Sequence, residues 1–212
     1  MVEAISIIYE DDDIAVVHKP SGIASQATKD EKGSLIESLN ANWQPVHRLD
    51  QRVSGIILFA KNDKTFAVLS SAFAYRQVKK YYRAVVANKP TIEENTLTHW
   101  LLKDGKNNKA KAFNKEVAHS QTAALHYRLL LSSLKYHLLD VELFTGRFHQ
   151  IRAQLAAIGS PIVGDVKYGY KRTTPDGSIF LQSYSIAFAH PNTKEAIHFE
   201  IEMPELWKKY GL

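Results

Sequence analysis

The stretch "VHRLDQRVSGIILFAK" at residues 46–61 joins a polar, basic segment to a continuous apolar run. The run "GIILFAK", bounded by Gly55 and Asn62, fits a central buried strand better than half of an amphipathic helix. Just before it, Asp50 is the single carboxylate among one His and two Arg. Burial at the mouth of a strand disfavours an ionised carboxylate, whereas a nearby guanidinium favours it. We therefore expect Asp50 to have an arginine partner.

The residues alone leave that partner and the role of Asp50 open. Arg48 and Arg52 are local candidates, and Arg152, on a later helix, could approach from across a cleft. A structural salt bridge or a turn cap is the more common role of an Asp beside an Arg. A reactive carboxylate, held ionised for catalysis, is the alternative.

The rest of the chain mixes strands and helices without βαβ alternation. "ISIIYE" and "IAVVHK" predict a hairpin, and "SLIESL" predicts a short helix capped by Ser34. After a helix from Asp63 and the strand "KKYYRAVVA", a meander follows with the Lys-rich segment 103–115 as a loop. A helix opening after Gly146 and a final hairpin turning at "HPNT" complete the pattern. This predicts an α+β fold with a mixed, largely antiparallel sheet flanked by helices.

Composition limits the possible function classes. The 212 residues, 45% hydrophobic, suffice for one large domain or two fused halves that share a cleft. The absence of Cys excludes disulfides and thiolate chemistry, and we find neither a membrane-length apolar run nor a signal peptide pattern. We expect a cytoplasmic protein. The net charge of +5 favours polyanionic partners, as do the basic segments 103–115 and 167–172.

Cofactor and metal motifs are missing from the sequence. Neither His47 nor His149 belongs to a spaced His pair with carboxylates, so we expect hydrogen-bonded histidines and no metal site. The glycine patterns of nucleotide-binding loops are absent, and Ser54 lacks the context of a hydrolase nucleophile. In "VKKYYRAVV" the strand period predicts that one of Tyr81 and Tyr82 is buried, either as core packing or as a stacking platform for a base.

Three ordered motifs resemble the RluA-type family of pseudouridine synthases. They are "HRLDQRVSGIILFAK" at 47–61, "VKKYYRAVV" at 78–86 and "TGRFHQIRAQLAAIGSPIVGDVKYG" at 145–169. The opening "YEDDDIAVVHKPSGI" and the late "FLQSYSIAFAHP" also resemble that family, so the similarity covers essentially the whole chain.

The resemblance implies a cofactor-free isomerase that converts uridine in ribosomal RNA or tRNA to pseudouridine. It implies a single catalytic domain, 1–212, with the pseudouridine synthase fold, in which two fused halves form a central active-site cleft. Asp50 then matches the catalytic carboxylate, and Arg152 matches the arginine that pairs with it. Tyr82 matches the tyrosine that packs on uracil, and Arg48 matches the arginine that fills the gap left by the flipped base.

Further RNA-binding residues are expected around these positions, and the chain is expected to act on RNA as a monomer, without a membrane partner. The additional candidates for RNA binding are His47, Lys80, Arg147, His149 and Gln150. The small N-terminal RNA-binding domain of many relatives is expected to be absent, since the catalytic pattern begins within the first ten residues.

The sequence also departs from the family pattern near the expected site. Val53 stands where Thr is usual, Phe148 where Thr or Ser is usual, and Gln154 where His is usual. The segment "LQS" at 181–183 replaces "LHA". These departures leave two alternatives to consider: an RNA-binding or RNA-folding protein with little isomerase activity, and a glycosidase that cuts the same bond and releases free uracil.

Overall fold

The computed structural model describes residues 4–26, 33–39 and 42–211. The chain divides into two compact units. The first unit comprises Met1–Lys80, Asp176–Ser178 and Gln182–Glu202. The second unit comprises Tyr81–Pro175, Ile179–Leu181 and Met203–Leu212.

The elements follow one another along the chain with strands in the majority. The strands are β1 (Ser6–Glu10), β2 (Ile14–Lys19), β3 (Gln44–Pro45), β4 (Ser54–Ala60), β5 (Lys79–Val86), β6 (Glu94–Asp104), β7 (Lys109–Phe113), β8 (Gln121–Ser132), β9 (His137–Leu143), β10 (Leu181–Ala189) and β11 (Ala196–Glu200). The helices are α1 (Leu35–Leu39), α2 (Asp63–Ala74), α3 (Gln150–Ala157) and α4 (Glu205–Lys208), with a 3₁₀ turn at Val166–Tyr168. No helix among the described residues is long and apolar enough to cross a membrane.

The first unit is built around the fully buried strand β4. β2 pairs with it in antiparallel register, and β10 pairs with it in parallel through Gln182↔Ser54 and Ser183↔Gly55. The hairpins β1–β2 and β10–β11 extend these pairings, as the sequence predicts. Helix α2 is capped by Asn62, whose side-chain oxygen accepts a hydrogen bond from the Thr65 N–H at 2.9 Å.

Helix α1 has the predicted cap at Ser34, and Glu37 completes it as a capping box. The Ser34 Oγ accepts from the Glu37 N–H at 3.3 Å, and the Glu37 carboxylate accepts from the Ser34 N–H at 2.8 Å. Because these two hydrogen bonds satisfy free amides at the helix start, a helix of only five residues is retained here.

The second unit is an antiparallel sheet in the order β5–β9–β8–β6–β7. Helix α3 packs on this sheet through Ala153, which joins Leu101, Ala110 and Ala123 in one buried cluster. The small residues let the helix approach the strands closely. The predicted α+β class with largely antiparallel pairing is thus confirmed.

Two details differ from the sequence expectation. The Lys-rich segment 103–115 is not a simple loop, because Lys109–Phe113 forms β7 and pairs with β6. Its alternation of Lys and Ala buries Ala110 and leaves Lys111 exposed, which is the period of a strand. Helix α3 begins at Gln150 and not directly after Gly146, because His149 has a left-handed backbone, with φ of 51°.

Candidate active site

Asp50 lies in a half-buried loop, residues 46–53, that leads into β4. Next to it, the buried Leu49 is fixed through its backbone: its N–H donates to Ser25 Oγ at 3.0 Å, and Ser25 Oγ donates to its carbonyl at 2.9 Å. The Asp50 carbonyl accepts from the Val53 N–H at 3.0 Å, which closes a tight turn. The backbone that carries the carboxylate is therefore held in place before any substrate binds.

A buried lysine that the sequence analysis did not select lies beside this loop. Lys19 is fully buried at the end of β2, and its Nζ donates to the carbonyls of Pro20 at 2.9 Å, Ile23 at 2.8 Å and Gln51 at 3.3 Å. Burial lowers the pKa of Lys19 to about 7, and the negative charge of Asp50 opposes that change. Lys19 thus ties β2 to the Asp50 loop, and its charge is coupled electrostatically to that of the carboxylate.

The two arginines next to Asp50 in sequence have different surroundings. Arg52 Nε donates to the Gly177 carbonyl at 2.6 Å, and its Nη2 donates to the Ser178 carbonyl at 3.3 Å. It therefore anchors the segment that precedes β10. Arg48 is exposed to solvent. An exposed guanidinium on the loop of Asp50 is available to a polyanionic ligand.

His47 and Lys80, both expected to bind RNA, contact the same aromatic ring. The His47 ring stacks on Phe73 at 5.0 Å, and Lys80 Nζ lies 5.6 Å from the centre of the same ring. His47 Nε2 accepts the Leu58 N–H at 3.0 Å. Burial, with a contribution from the charge of Lys80, lowers the pKa of His47 to about 3. His47 is therefore neutral at physiological pH, and it fixes the loop to β4.

Tyr82 is the buried tyrosine of β5, with 6% of its surface exposed, whereas Tyr81 is only half-buried. The alternation predicted from the sequence is confirmed. Tyr82 lies opposite Val141 of β9 in the antiparallel register. Its position is therefore fixed by a paired strand on the sheet of the second unit.

Arg152 is buried in α3 and makes a two-point ion pair within the second unit. Its Nε lies 2.7 Å from Asp165 Oδ2, and its Nη2 lies 2.9 Å from Asp165 Oδ1. The guanidinium carbon also lies 4.9 Å from the centre of the Tyr168 ring. A planar guanidinium held along one edge by a carboxylate and across its face by an aromatic ring has a single orientation.

The turn that carries Asp165 is tightly hydrogen-bonded. The Asp165 N–H donates to the Ile162 carbonyl at 3.0 Å, and the Asp165 carbonyl accepts from the N–H groups of Tyr168 and Tyr170 at 3.0 and 3.1 Å. Asp165 is a further candidate site residue that was not among those predicted from the sequence. The signal was its place in the third family-like motif, thirteen residues after Arg152.

Two more of the expected RNA-binding residues stabilise the start of α3. Gln150 is buried, and its Oε1 accepts from Thr145 Oγ1 at 2.7 Å and from the Arg147 N–H at 3.0 Å. Arg147 Nε donates to the Thr122 carbonyl at 3.2 Å. The side chain of Gln150 thus serves the fold, whereas that of Arg147 is partly exposed.

His149 and Phe148 form part of a stack of rings and cations. The two rings stack at 3.9 Å, and Lys103 Nζ lies 4.8 Å from the centre of the Phe148 ring. His149 Nδ1 hydrogen-bonds the Tyr168 hydroxyl at 3.0 Å, and that hydroxyl accepts from the Ala110 N–H at 2.7 Å. Tyr168 therefore connects β7, the start of α3 and Arg152.

The departures at Gln154 and Ser183 lie at packed positions. Gln154 is fully buried, and its Nε2 donates to the carbonyls of Leu97 and Ala123, both at 3.2 Å. Ser183 pairs with Gly55, and a Cβ at Gly55 would lie 2.3 Å from the Ser183 carbonyl oxygen. Such a short separation admits only glycine at position 55.

The structure brings the predicted residues together in two groups. Asp50, Arg48 and His47 share one loop of the first unit. Arg152 and His149 share Tyr168 in the second unit, where Tyr82 also lies. The pairing of Asp50 with Arg152 stays a prediction. Among the described residues, no group of His, Asp and Glu could hold a metal ion.

Comparison with known proteins supplies the family. The family model described as RNA pseudouridylate synthase matches residues 13–157. The RNA pseudouridine synthase YlyB of Bacillus subtilis is 31% identical over 214 residues, which cover 95% of this chain and 70% of that protein. Ribosomal large subunit pseudouridine synthase C of Rickettsia bellii is 32% identical over 212 residues, with 96% and 70% covered.

Solved structures confirm the fold. The human RNA pseudouridylate synthase domain-containing proteins 1 and 4 superpose with TM-scores of 0.79 and 0.78, at 22% and 19% identity. The superpositions cover 98% and 95% of this chain, and 87% and 90% of the human chains. Sequence, fold and ordered motifs thus agree: the chain belongs to the RNA pseudouridine synthase family, whose members are isomerases.

Proposed function

We propose that this protein converts uridine to pseudouridine in large-subunit ribosomal RNA, with Asp50 as its catalytic carboxylate. The observation that carries the proposal is the construction of the Asp50 loop. Its backbone is fixed by hydrogen bonds at Leu49 and Val53, and the buried Lys19 donates to the Gln51 carbonyl next to Asp50. A preorganised carboxylate on a loop next to an exposed arginine is suited to act on a polyanionic substrate.

The reaction needs neither an oxidant nor a cofactor. The glycosidic bond from C1′ to N1 breaks, a bond from C1′ to C5 forms, the proton leaves C5 and N1 gains a proton, so that product and substrate have the same composition. Asp50 acts on the sugar or the base of the target. Arg152, oriented by Asp165, is its proposed ion-pair partner by family resemblance. Tyr82 packs on the uracil by the same resemblance.

The target uridine must leave its stack before the carboxylate can reach it, at a cost of a few kcal/mol. The exposed side chain of Arg48 fills the vacancy, because a planar cation can stack on bases and neutralise phosphate at once. Arg147 and the lysines of the β6–β7 hairpin contact the RNA backbone, which makes binding sensitive to salt.

The choice of RNA follows the named relatives. Proteins called ribosomal large subunit pseudouridine synthase C in two Rickettsia species are 32% and 33% identical to this chain. tRNA is the other class of substrate that the sequence leaves open.

The test uses purified protein with unmodified transcripts of large-subunit ribosomal RNA and of tRNA, followed by chemical mapping of pseudouridine. We expect product in the ribosomal transcript and none with Asp50→Asn. Asp12→Asn, an isosteric change of an exposed carboxylate in the β1–β2 turn, is the matched control and should keep full activity. Product from Asp50→Asn would refute the role of Asp50, and product in tRNA alone would refute the proposed substrate.

A further inference from the structure

A cavity in the second unit lies outside all the residues discussed as catalytic. Its volume is about 440 Å³, which is within the range of ligand pockets. Three tyrosines, Tyr136, Tyr170 and Tyr210, line it together with Lys135 and Arg172. We refer to it as the tyrosine cavity.

The aromatic walls of the tyrosine cavity are held rigidly. The rings of Tyr136 and Tyr210 meet edge to face at 5.1 Å, and the Tyr210 ring lies edge to face on Phe180 at 4.7 Å. Phe180 in turn stacks on the buried Trp207 at 5.1 Å. Because all three tyrosines are only half-buried, ring surface remains accessible. Rigid, partly exposed tyrosine rings are the surfaces on which nucleobases stack.

The charge of the cavity selects an anionic ligand. Lys135 and Arg172 are exposed cations at its edge, and none of the residues that line it is acidic. Hydroxyl groups supply the remaining polarity, including that of the buried Thr174. Burial and a hydrogen bond with Tyr136 raise the pKa of Tyr170 to about 12, so its hydroxyl carries no negative charge at neutral pH.

The tyrosine cavity also adjoins the turn that orients Arg152. Val163 and Tyr170 line the cavity, and Asp165 lies between them in the chain. The Tyr170 N–H donates to the Asp165 carbonyl at 3.1 Å. A ligand in the cavity would therefore rest on the same turn whose carboxylate holds the proposed catalytic arginine.

We propose that the tyrosine cavity binds one nucleotide of a single-stranded segment of the RNA substrate, with its base against the tyrosine rings and its phosphate against Lys135 and Arg172. The inference rests on the proposed function in one respect, that RNA is the substrate. It adds a binding site for a nucleotide other than the target uridine. Base stacking needs no particular sequence, so the site would strengthen binding more than it selects a sequence.

The first experiment measures binding of a fluorescein-labelled decauridylate by anisotropy. In Lys135→Glu/Arg172→Glu we expect affinity to fall at least tenfold, and the slope of log affinity against log salt to decrease by about 1.4, since each phosphate contact on a single strand contributes about 0.7. The control, Lys64→Glu/Arg76→Glu, reverses two exposed charges in the first unit. Equal affinity of the two double variants would overturn the proposal.

The second experiment tests the rings and the identity of the occupant. Tyr136→Leu and Tyr210→Leu should each weaken binding about tenfold, which corresponds to the loss of one stacked base. Photocrosslinking of the unmodified protein with a 4-thiouridine oligonucleotide should label peptides that contain Tyr136, Tyr170 or Tyr210. For the tyrosine variants, an unchanged thermal unfolding curve shows that the fold is retained. Labelling elsewhere only would refute the site. Displacement of the oligonucleotide by UMP at equal concentration would assign the cavity to a free nucleotide and overturn the proposal for RNA.

Measurement of turnover separates this inference from the proposed function. With saturating RNA, Lys135→Glu/Arg172→Glu should form pseudouridine at the rate of the unmodified protein, with a raised KM. If the unmodified protein forms no pseudouridine, the proposed function fails. The binding experiments would still show whether the tyrosine cavity binds RNA. If KM is unchanged in the variant, the cavity has no role in substrate binding.

Discussion

Replacement of Asp165 by Asn tests how Arg152 is held. The side chains of Arg152 and Asp165 are 5% and 0% exposed, and two hydrogen bonds of 2.7 and 2.9 Å join them. Asn preserves the shape but removes the negative charge, so that a buried guanidinium loses a compensating carboxylate. Loss of one partner of a buried ion pair costs about 3–5 kcal/mol. For a chain of this length, each kcal/mol lowers Tm by roughly 2–4 °C, so we expect a decrease on the order of 10 °C.

Thermal unfolding followed by circular dichroism measures this decrease. The control is Asp104→Asn, because Asp104 is exposed and accepts hydrogen bonds from Asn107 in a surface turn. That variant should change Tm by roughly 2 °C or less, since exposed contacts contribute little. A decrease in Asp165→Asn no larger than in the control would refute the buried pair as a source of stability.

A double-mutant cycle with Arg152→Met assigns the effect to the pair. If the two side chains stabilise the protein through each other, the double variant should be less destabilised than the sum of the single variants. Pseudouridine formation by Asp165→Asn, measured well below its Tm, adds a readout that stability does not control. We expect kcat to fall while KM is retained, because Arg152 loses its orientation whereas the residues proposed to bind RNA are unchanged. An unchanged kcat would remove Asp165 from the list of positioning residues.

Three further predictions concern the first unit. The pKa of His47 is about 3 in the folded protein, against 6.5 for an ordinary histidine. Between these two pH values the unfolded chain binds more protons than the folded chain. The free energy of unfolding therefore falls as pH decreases from 6.5 to 3. His47→Gln should reduce the loss of unfolding free energy between pH 6.5 and 4 by up to about 3 kcal/mol, as measured by urea unfolding. An equal loss in the variant and the unmodified protein would contradict this prediction. Gly55→Ala should prevent folding or lower Tm strongly, because the new Cβ would lie 2.3 Å from the Ser183 carbonyl oxygen. The control is Gly22→Ala, where φ is 92° and no atom lies within 4 Å of the new Cβ. This control should cost only about 1–2 kcal/mol of stability. Lys19→Met should speed hydrogen exchange of the Gly22 N–H, which donates to the Gln51 carbonyl at 2.8 Å, and unchanged protection would show that Lys19 does not hold the loop.

Much of the fold could be predicted from local patterns. The apolar run after Gly55 became the buried strand β4, and the hairpins at both ends of the first unit follow from β-branched runs and turn residues. The strand within the Lys-rich segment was missed, because its alternating partners are Ala and not large apolar residues. Only the close approach of α3 to the sheet, through Ala153, makes alanine a sufficient core residue there.

The candidate site could be predicted only where a motif carried it. Family-like motifs predicted Asp50, Tyr82 and Arg152. Lys19 and Asp165 were not predicted, because their residue types alone do not indicate a role at a site. A lysine after "IAVVH" is ordinary in a strand, and its burial depends on carbonyls supplied by Ile23 and Gln51. Backbone carbonyls from distant residues meet only in the tertiary structure, so no residue pattern in the sequence indicates them.

The departure at Phe148 is explained by packing within the second unit. The Phe148 ring stacks on the imidazole of His149 at 3.9 Å, and the ammonium of Lys103 lies 4.8 Å from its centre. A small hydroxyl residue at this position would make neither contact. The ring therefore connects Lys103 of β6 to His149, the residue that precedes α3. His149 in turn hydrogen-bonds the Tyr168 hydroxyl at 3.0 Å. Since Tyr168 also covers the guanidinium of Arg152, Phe148 acts on the proposed site only through this chain of contacts. A change there should alter the stability of the helix start before it alters the chemistry at Asp50.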